Sequence, residues 1–136
     1  MPHNGITNIM LRNTHADIQN RWIAKFAAKH SISDSDLIEA VRRADNGLID
    51  ADLGGGVIKQ RIARKGQGKS GGYRSLILFK HGERAFFMYA FAKSDRENIT
   101  AQELADLKTL ARYATKCSNE ELEMLIVKMG LLELGK

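Results

Sequence analysis

Between two apolar, strand-like runs the chain carries Lys65-Gly66-Gln67-Gly68-Lys69-Ser70-Gly71-Gly72-Tyr73-Arg74, and these four glycines and three cations constrain the fold more than any other segment. A glycine loop that opened a helix would define a nucleotide-binding protein, because helix N-terminal N–H groups and the helix dipole receive phosphate. Gly66, Gly68 and Gly71 do spell G-x-G-x-x-G, and Gly68-Lys69-Ser70 imitates the end of a Walker A loop. Yet the loop leads into Arg74-Ser75-Leu76-Ile77-Leu78-Phe79, a run that reads as a strand, and the glycine a Walker loop needs before Gly68 is Ala63. Both nucleotide readings fail on that context. A flexible cationic loop between strands remains, suited to the phosphates of a polymeric anion.

The flanking runs have the period of strands. Ile58, Gln60 and Ile62 alternate with Lys59, Arg61 and Ala63, so the two cations fall on the face opposite the isoleucines. After the loop, a strand from about Tyr73 to Lys80 turns at His81-Gly82-Glu83 into another from about Arg84 to Ala92, a β-hairpin. From Lys59 to Lys80 the charged residues are Lys59, Arg61, Arg64, Lys65, Lys69, Arg74 and Lys80, with no Asp or Glu among them. The net charge of +5 is therefore gathered around the loop, and the sheet acquires a basic face that favours an anionic partner, nucleic acid or ribosomal surface first.

Helices flank this sheet. From about Thr14 to His30 the residues Ile18, Trp22, Ile23, Phe26 and Ala27 recur at helical spacing, which predicts a helix with Trp22 and Phe26 facing the core. Ser33 or Asp34 caps a second helix through Leu37, Ile38, Val41 and Ala44, closed by Asn46-Gly47, and the two read as a hairpin. Thr100-Ala101-Gln102-Glu103 and Ser118-Asn119-Glu120-Glu121 are capping boxes that open two further helices. The stretch 48–53 leads to Gly54-Gly55-Gly56, a hinge or close-approach point before the first long strand. With 136 residues the chain is expected to be one compact α+β domain.

The chemistry on offer is narrow. A single Cys117 forms no internal disulfide and suits a reducing cytosol as a structural thiol. His3, His15, His30 and His81 lack metal-ligand spacing, so no metal and no cofactor is expected. Asp50 and Asp52 read as solvated loop carboxylates, and Ser70 has no base beside it in sequence. No apolar segment approaches the length of about 18 residues that spans a bilayer, and no signal-peptide core is visible, so a soluble, cytoplasmic protein with no membrane partner is expected. Cations and tyrosines are left. They can hold RNA so that a ribose 2′-OH attacks the adjacent phosphate, a lysine assisting proton removal and an arginine stabilising the phosphorane charge. Tyr73 and Tyr89 serve either strand packing or base stacking.

Three segments, Gly54-Gly-Gly-Val-Ile-Lys-Gln-Arg61, Gly66-Gln-Gly-Lys-Ser-Gly-Gly-Tyr-Arg74 and Tyr89-Ala-Phe-Ala-Lys-Ser-Asp-Arg-Glu-Asn98, resemble the RelE/HigB-like toxins of bacterial type II toxin-antitoxin modules. The resemblance covers about Ile18 to Leu134, which makes 1–17 an N-terminal extension and 18–136 a single RelE-like domain. It implies a small twisted antiparallel sheet packed on an N-terminal helical hairpin, with C-terminal helices, and a cognate antitoxin as partner. It further implies metal-free cleavage of mRNA on the ribosome, leaving a 2′,3′-cyclic phosphate. By motif position Arg74 is the phosphate-stabilising arginine, Lys65 and Lys69 are the loop lysines, and Lys93 is the basic residue ending the last core strand. Lys59, Arg61, Arg64, Tyr73 and Arg96 would bind RNA. Ser94 and Thr100 stand where a further arginine and a tyrosine are expected, so Tyr89, or Arg96, is the substitute for the acid that protonates the leaving group. Two alternatives stand beside it: a ParE-like gyrase poison of the same fold, a branch that lacks the nuclease cation set and against which the basic loop argues, and a non-catalytic RNA-binding module in which the same cations only position phosphates.

Overall fold

The structure is a computed structural model that describes residues 15–64, 68–92 and 99–135. Six strands, β1 (Ala16–Gln19), β2 (Ala51–Gly54), β3 (Val57–Arg64), β4 (Gly68–Lys80), β5 (Arg84–Ala92) and β6 (Leu132–Glu133), form one sheet in the order β2-β3-β4-β5-β1-β6. At its centre β3, β4 and β5 make the antiparallel meander that alternation predicts, with Ile62 opposite Tyr73 and Leu78 opposite Phe86. The sheet as a whole is mixed, because β1 runs parallel to β5, Ile18 opposite Phe86, and antiparallel to β6. A parallel pair needs a long crossover, here supplied by everything between β1 and β5.

The first strand lies where helical spacing predicted helix. Asn20 draws the boundary: its Oδ1 accepts the Ile23 N–H at 2.8 Å as the cap of α1 (Arg21–Lys29), while its Nδ2 donates to the Met88 carbonyl of β5 at 3.1 Å. Ala16 and Asp17, ahead of the resembling stretch, pair with Arg84 and Ala85. The second helix, α2 (Asp34–Asp45), opens on a Ser33/Asp36 capping box, and α3 (Ala101–Ala114) and α4 (Asn119–Lys128) open on the boxes at Thr100/Glu103 and Ser118/Glu121.

Helices cover both faces of the sheet. On one face α1 docks on β5 and α2 on β3, burying Ile23, Leu37 and Val41 with Ile58, Ile62, Ile77 and Phe87. On the other, Leu107, Ala111 and Leu122 of α3 and α4 pack on Val57, Leu76, Leu78 and Phe86. Each fully buried aliphatic or aromatic side chain contributes about 1.5–3 kcal/mol. The two N-terminal helices are thus held chiefly by the sheet, whereas a hairpin would be held by its own interhelical packing. Trp22 does not face the core, as its spacing suggested, and is 50% exposed; Ile23 and Ala27 are buried instead. Both rows satisfy a period of 3.6, and the sheet lies under the second.

Three polar residues lock the layers. Gln60 is fully buried; its Nε2 donates to the Ala40 and Leu48 carbonyls and its Oε1 accepts the Asp50 N–H, joining β3 to α2 and the turn after it. Arg84, 5% exposed, sends Nη1 to the Ala114 and Cys117 carbonyls and to Cys117 Sγ, and Nη2 to Asn119 Oδ1, tying β5 to the α3–α4 turn. His15 stands between Asp17 Oδ1 at 2.6 Å and Asp45 Oδ2 at 2.9 Å, close enough to be ion-paired though poorly aligned for hydrogen bonds. Burial opposes its charge, but the two carboxylates outweigh burial and raise its pKa above 6.5.

Candidate functional site

The face that carries α3 and α4 continues past them toward the β3–β4 connection, and there its chemistry changes from apolar to cationic. Lys59 and Arg61 alternate with the buried Ile58, Gln60 and Ile62, so they lie on the Val57 side of β3. Cross-strand pairing sets Lys59 opposite Leu76, Arg61 opposite Arg74, and Arg74 opposite Phe91. Two arginines face each other directly, an arrangement that costs energy unless an anion shares the space.

The two arginines differ in what surrounds them. Asp50 Oδ2 accepts the Arg61 N–H at 2.6 Å, and its Oδ1 lies 3.6 Å from the Arg61 guanidinium, so Asp50 anchors β3 and is not the free loop carboxylate its context suggested. Arg43 adds to the anchor, donating to the Arg61 carbonyl and reaching Asp50 Oδ2 at 3.8 Å. Among the described residues Arg74 has no such carboxylate, and its buried Nη1 makes no hydrogen bond. A buried guanidinium donor without an acceptor is costly, and sites built to receive an anion are one reason such a group persists.

Gly72 fixes where Arg74 stands. A Cβ there would lie 2.6 Å from the Ile62 carbonyl oxygen, so only glycine lets β4 close on β3 two residues before the arginine. The spacing of β4 against β3 is therefore set at Gly72.

The remaining candidates divide sharply. Lys65, Lys93 and Arg96 lie outside the described residues; Arg64 and Lys69 are described by backbone alone, Arg64 paired with Gly68 at the end of β3. Tyr89 is 39% exposed on β5, opposite Leu76 and two residues from Phe91, hence on the Arg74 side of the sheet. Tyr73 is a correction: it is 2% exposed, on the opposite face, and its hydroxyl bonds His30 Nδ1 at 3.0 Å, so its ring is core and cannot stack on a base. Thr100, at the position of an expected tyrosine, accepts the Glu103 N–H through its hydroxyl as the cap of α3.

A cleft of about 540 Å³ lies elsewhere, between α2 and the β2–β3 edge, lined by Asp36, Glu39, Arg43, Leu48, Asp50 and Arg61. Its Arg43 and Arg61 both face Asp50, while Glu39 pairs with Arg42 and Asp36 accepts the Ser33 N–H, which leaves little for a ligand. No cluster of three His, Cys, Asp or Glu among the described residues is placed to hold a metal ion, and no helix among them is long and apolar enough to cross a membrane. Sequence reasoning missed Asp50 and Arg43 as partners of the basic strand; the position of Asp50 before an edge strand was visible, but its cross-strand reach was not.

A small mixed sheet with helices on both faces, presenting a cationic end whose central arginine keeps a buried nitrogen without an acceptor among the described residues, defines a basic α+β protein. The sequence model of the RelE family, described as the RelE toxin of the RelE / RelB toxin-antitoxin system, matches residues 18–134. The chain belongs to that family and is the toxin of a toxin-antitoxin system, with an antitoxin as its partner. No curated protein matches it.

Proposed function

We propose that this toxin is a ribosome-dependent mRNA endonuclease that cuts without a metal, by attack of a ribose 2′-OH on the adjacent phosphate. The observation that carries the reading is Arg74: a buried guanidinium nitrogen without an acceptor among the described residues, opposite Arg61 and on the same face as Lys59. In the reaction the O2′–P bond forms and the P–O5′ bond breaks, giving a 2′,3′-cyclic phosphate and a 5′-hydroxyl. A base takes the 2′-OH proton and an acid returns one to O5′. Arg74 stabilises the extra negative charge on the phosphorane oxygens, where a preorganised donor counts most. Lys69, Lys65 and Lys93 are the proposed bases by their places in the motif, and like-charge crowding lowers a lysine pKa toward the working pH. Tyr89, exposed beside Phe91, is the proposed acid. Lys59 and Arg61 hold flanking phosphates, and Arg64 and Arg96 extend the track.

The test is induced expression in a bacterium with primer extension on a translated reporter mRNA, the Arg74→Ala chain alongside. Cleavage at phased codon positions that disappears in the variant is the expected result. Growth arrest with intact mRNA and accumulating DNA breaks would transfer the toxin to gyrase poisoning, and cleavage undiminished in Arg74→Ala would remove Arg74 from the reaction.

A further inference from the structure

The exposed face of α1 combines two features that the cationic end of the sheet does not use. Arg21, Lys25 and Lys29 recur every four residues and all three are exposed, with no ion-pair partner among the described residues and no Asp or Glu from Ile18 to Ser33. Beside them runs a second row with the same spacing, Trp22, Phe26 and His30. Its rings are in contact: Trp22 stacks on Phe26 at 5.4 Å between centroids, and Phe26 meets His30 at 4.3 Å and the edge of Tyr73 at 5.4 Å. The column therefore starts in the core at Tyr73 and ends at the surface on Trp22. Because β1 ends at Gln19, opposite Phe87, the edge of β5 beyond it is open to α1, and there Tyr89 approaches Trp22 edge-on, 6.2 Å between centroids at 73°.

Phe26 covers one face of the indole and Tyr89 one edge, yet half of Trp22 remains in solvent. Leaving a tryptophan that exposed forfeits much of the burial that an aromatic ring gains in a core. A rigid ring with a free face, flanked by a row of cations, is what single-stranded nucleic acid requires: a platform for a base and charges for the backbone attached to it. We infer that Trp22, backed by Phe26 and flanked by Tyr89, is a stacking site for one unpaired base of an RNA strand whose phosphates run along Arg21, Lys25 and Lys29. The inference rests on the RNA reading of the proposed function and extends it to a contact across the β5 edge from Arg74. An acidic protein segment could also meet the cations, but it has no use for the free indole face.

Trp22 is the chain's single tryptophan, so its fluorescence reports this site alone. The experiment titrates the purified full chain with a fluorescein-labelled, 2′-O-methylated single-stranded RNA that cannot be cleaved, reading label anisotropy and Trp22 emission together. Quenching that saturates with the same midpoint as the anisotropy is expected, with Trp22→Leu binding about 10-fold more weakly, as for loss of one stacked base. Lys25→Gln with Lys29→Gln should lower the slope of log K against log salt by about 1.4. Both variants alter exposed side chains, and their melting temperatures verify that they fold. Anisotropy without quenching, and Trp22→Leu binding like the parent, would overturn the stacking site while phased mRNA cleavage still stood. Equal quenching by polyglutamate would assign the row to acidic chains and also overturn it. Absence of any RNA binding would overturn it too, and primer extension decides the nuclease reading separately.

Discussion

Replacing Arg74 by methionine should make the protein more stable and less active at once. The substitution keeps an unbranched apolar stem opposite Phe91, and removes the guanidinium whose Nη1 is buried without an acceptor. An unsatisfied buried donor costs about 1–3 kcal/mol. Arg74 is only partly buried as a residue, so the lower part of that range applies and the gain should be about 1 kcal/mol. For a chain of this size that corresponds to a rise of about 3 °C in Tm. Removing one preorganised donor from a developing oxyanion costs about 2.7–4 kcal/mol, so cleavage should fall by about 100- to 1000-fold. Urea denaturation of the purified chains gives the first quantity and primer extension on a translated reporter gives the second. A loss of stability of about 2 kcal/mol would mean that the guanidinium is a structural tie with a native acceptor, and the reasoning from its unpaired nitrogen would collapse.

Gly72→Ala should destabilise by about 1–3 kcal/mol, because its Cβ meets the Ile62 carbonyl oxygen at 2.6 Å in a sheet that cannot open locally; an unchanged urea midpoint would show that β3 and β4 can part. Arg84→Leu should cost about 3 kcal/mol, since it strips the Ala114 and Cys117 carbonyls of their charged donor inside the core, and an unfolding midpoint within error of the parent would refute that role. His15 adds a pH dependence. Its pKa is raised in the folded state, so its stabilisation is fully present below pH 6.5 and is lost as pH rises through the folded value. The stability difference between the parent and His15→Gln should therefore be largest in mild acid and shrink in alkali, and a difference that grew with pH would reverse the sign of the argument.

Local rules carried much of this architecture. The three capping boxes set α2, α3 and α4; two were legible in full, and for α2 the sequence left the cap between Ser33 and Asp34, of which Ser33 is the one used. Alternation in 57–64 identified the buried row of Ile58, Gln60 and Ile62 and put Lys59 and Arg61 on the other side. The turn at His81-Gly82-Glu83 joined β4 to β5 as expected. The hidden parts depended on distant partners. β1 is four residues long and has no signature of its own; it becomes a strand because Phe86 and Glu133 flank it. Helical spacing placed Trp22 and Ile23 equally well, and only the position of the sheet separates core from surface. Asp50 looked like a loop carboxylate because its partner Arg61 lies across a hairpin. At the candidate site, Arg74 could be picked out by its motif, but its missing acceptor is a property of three adjacent strands that no spacing expresses.

Strand order also dictates when the protein can be finished. Ile18 emerges early in synthesis, yet it is fully buried only between Phe86 on one side and Glu133 on the other. During translation β1 must wait, first for β5 and then for the segment Leu132–Leu134, whose Leu134 N–H bonds the Asp17 carbonyl. Pairing of such separated segments is slow and leaves apolar surface uncovered in the meantime. A chain released before residue 132 would have an open edge on β1 and an incomplete core around Leu134. Any interruption of its message upstream of those codons therefore yields an unfinished sheet, and closure of the β1 edge becomes a readout that translation has passed residue 134.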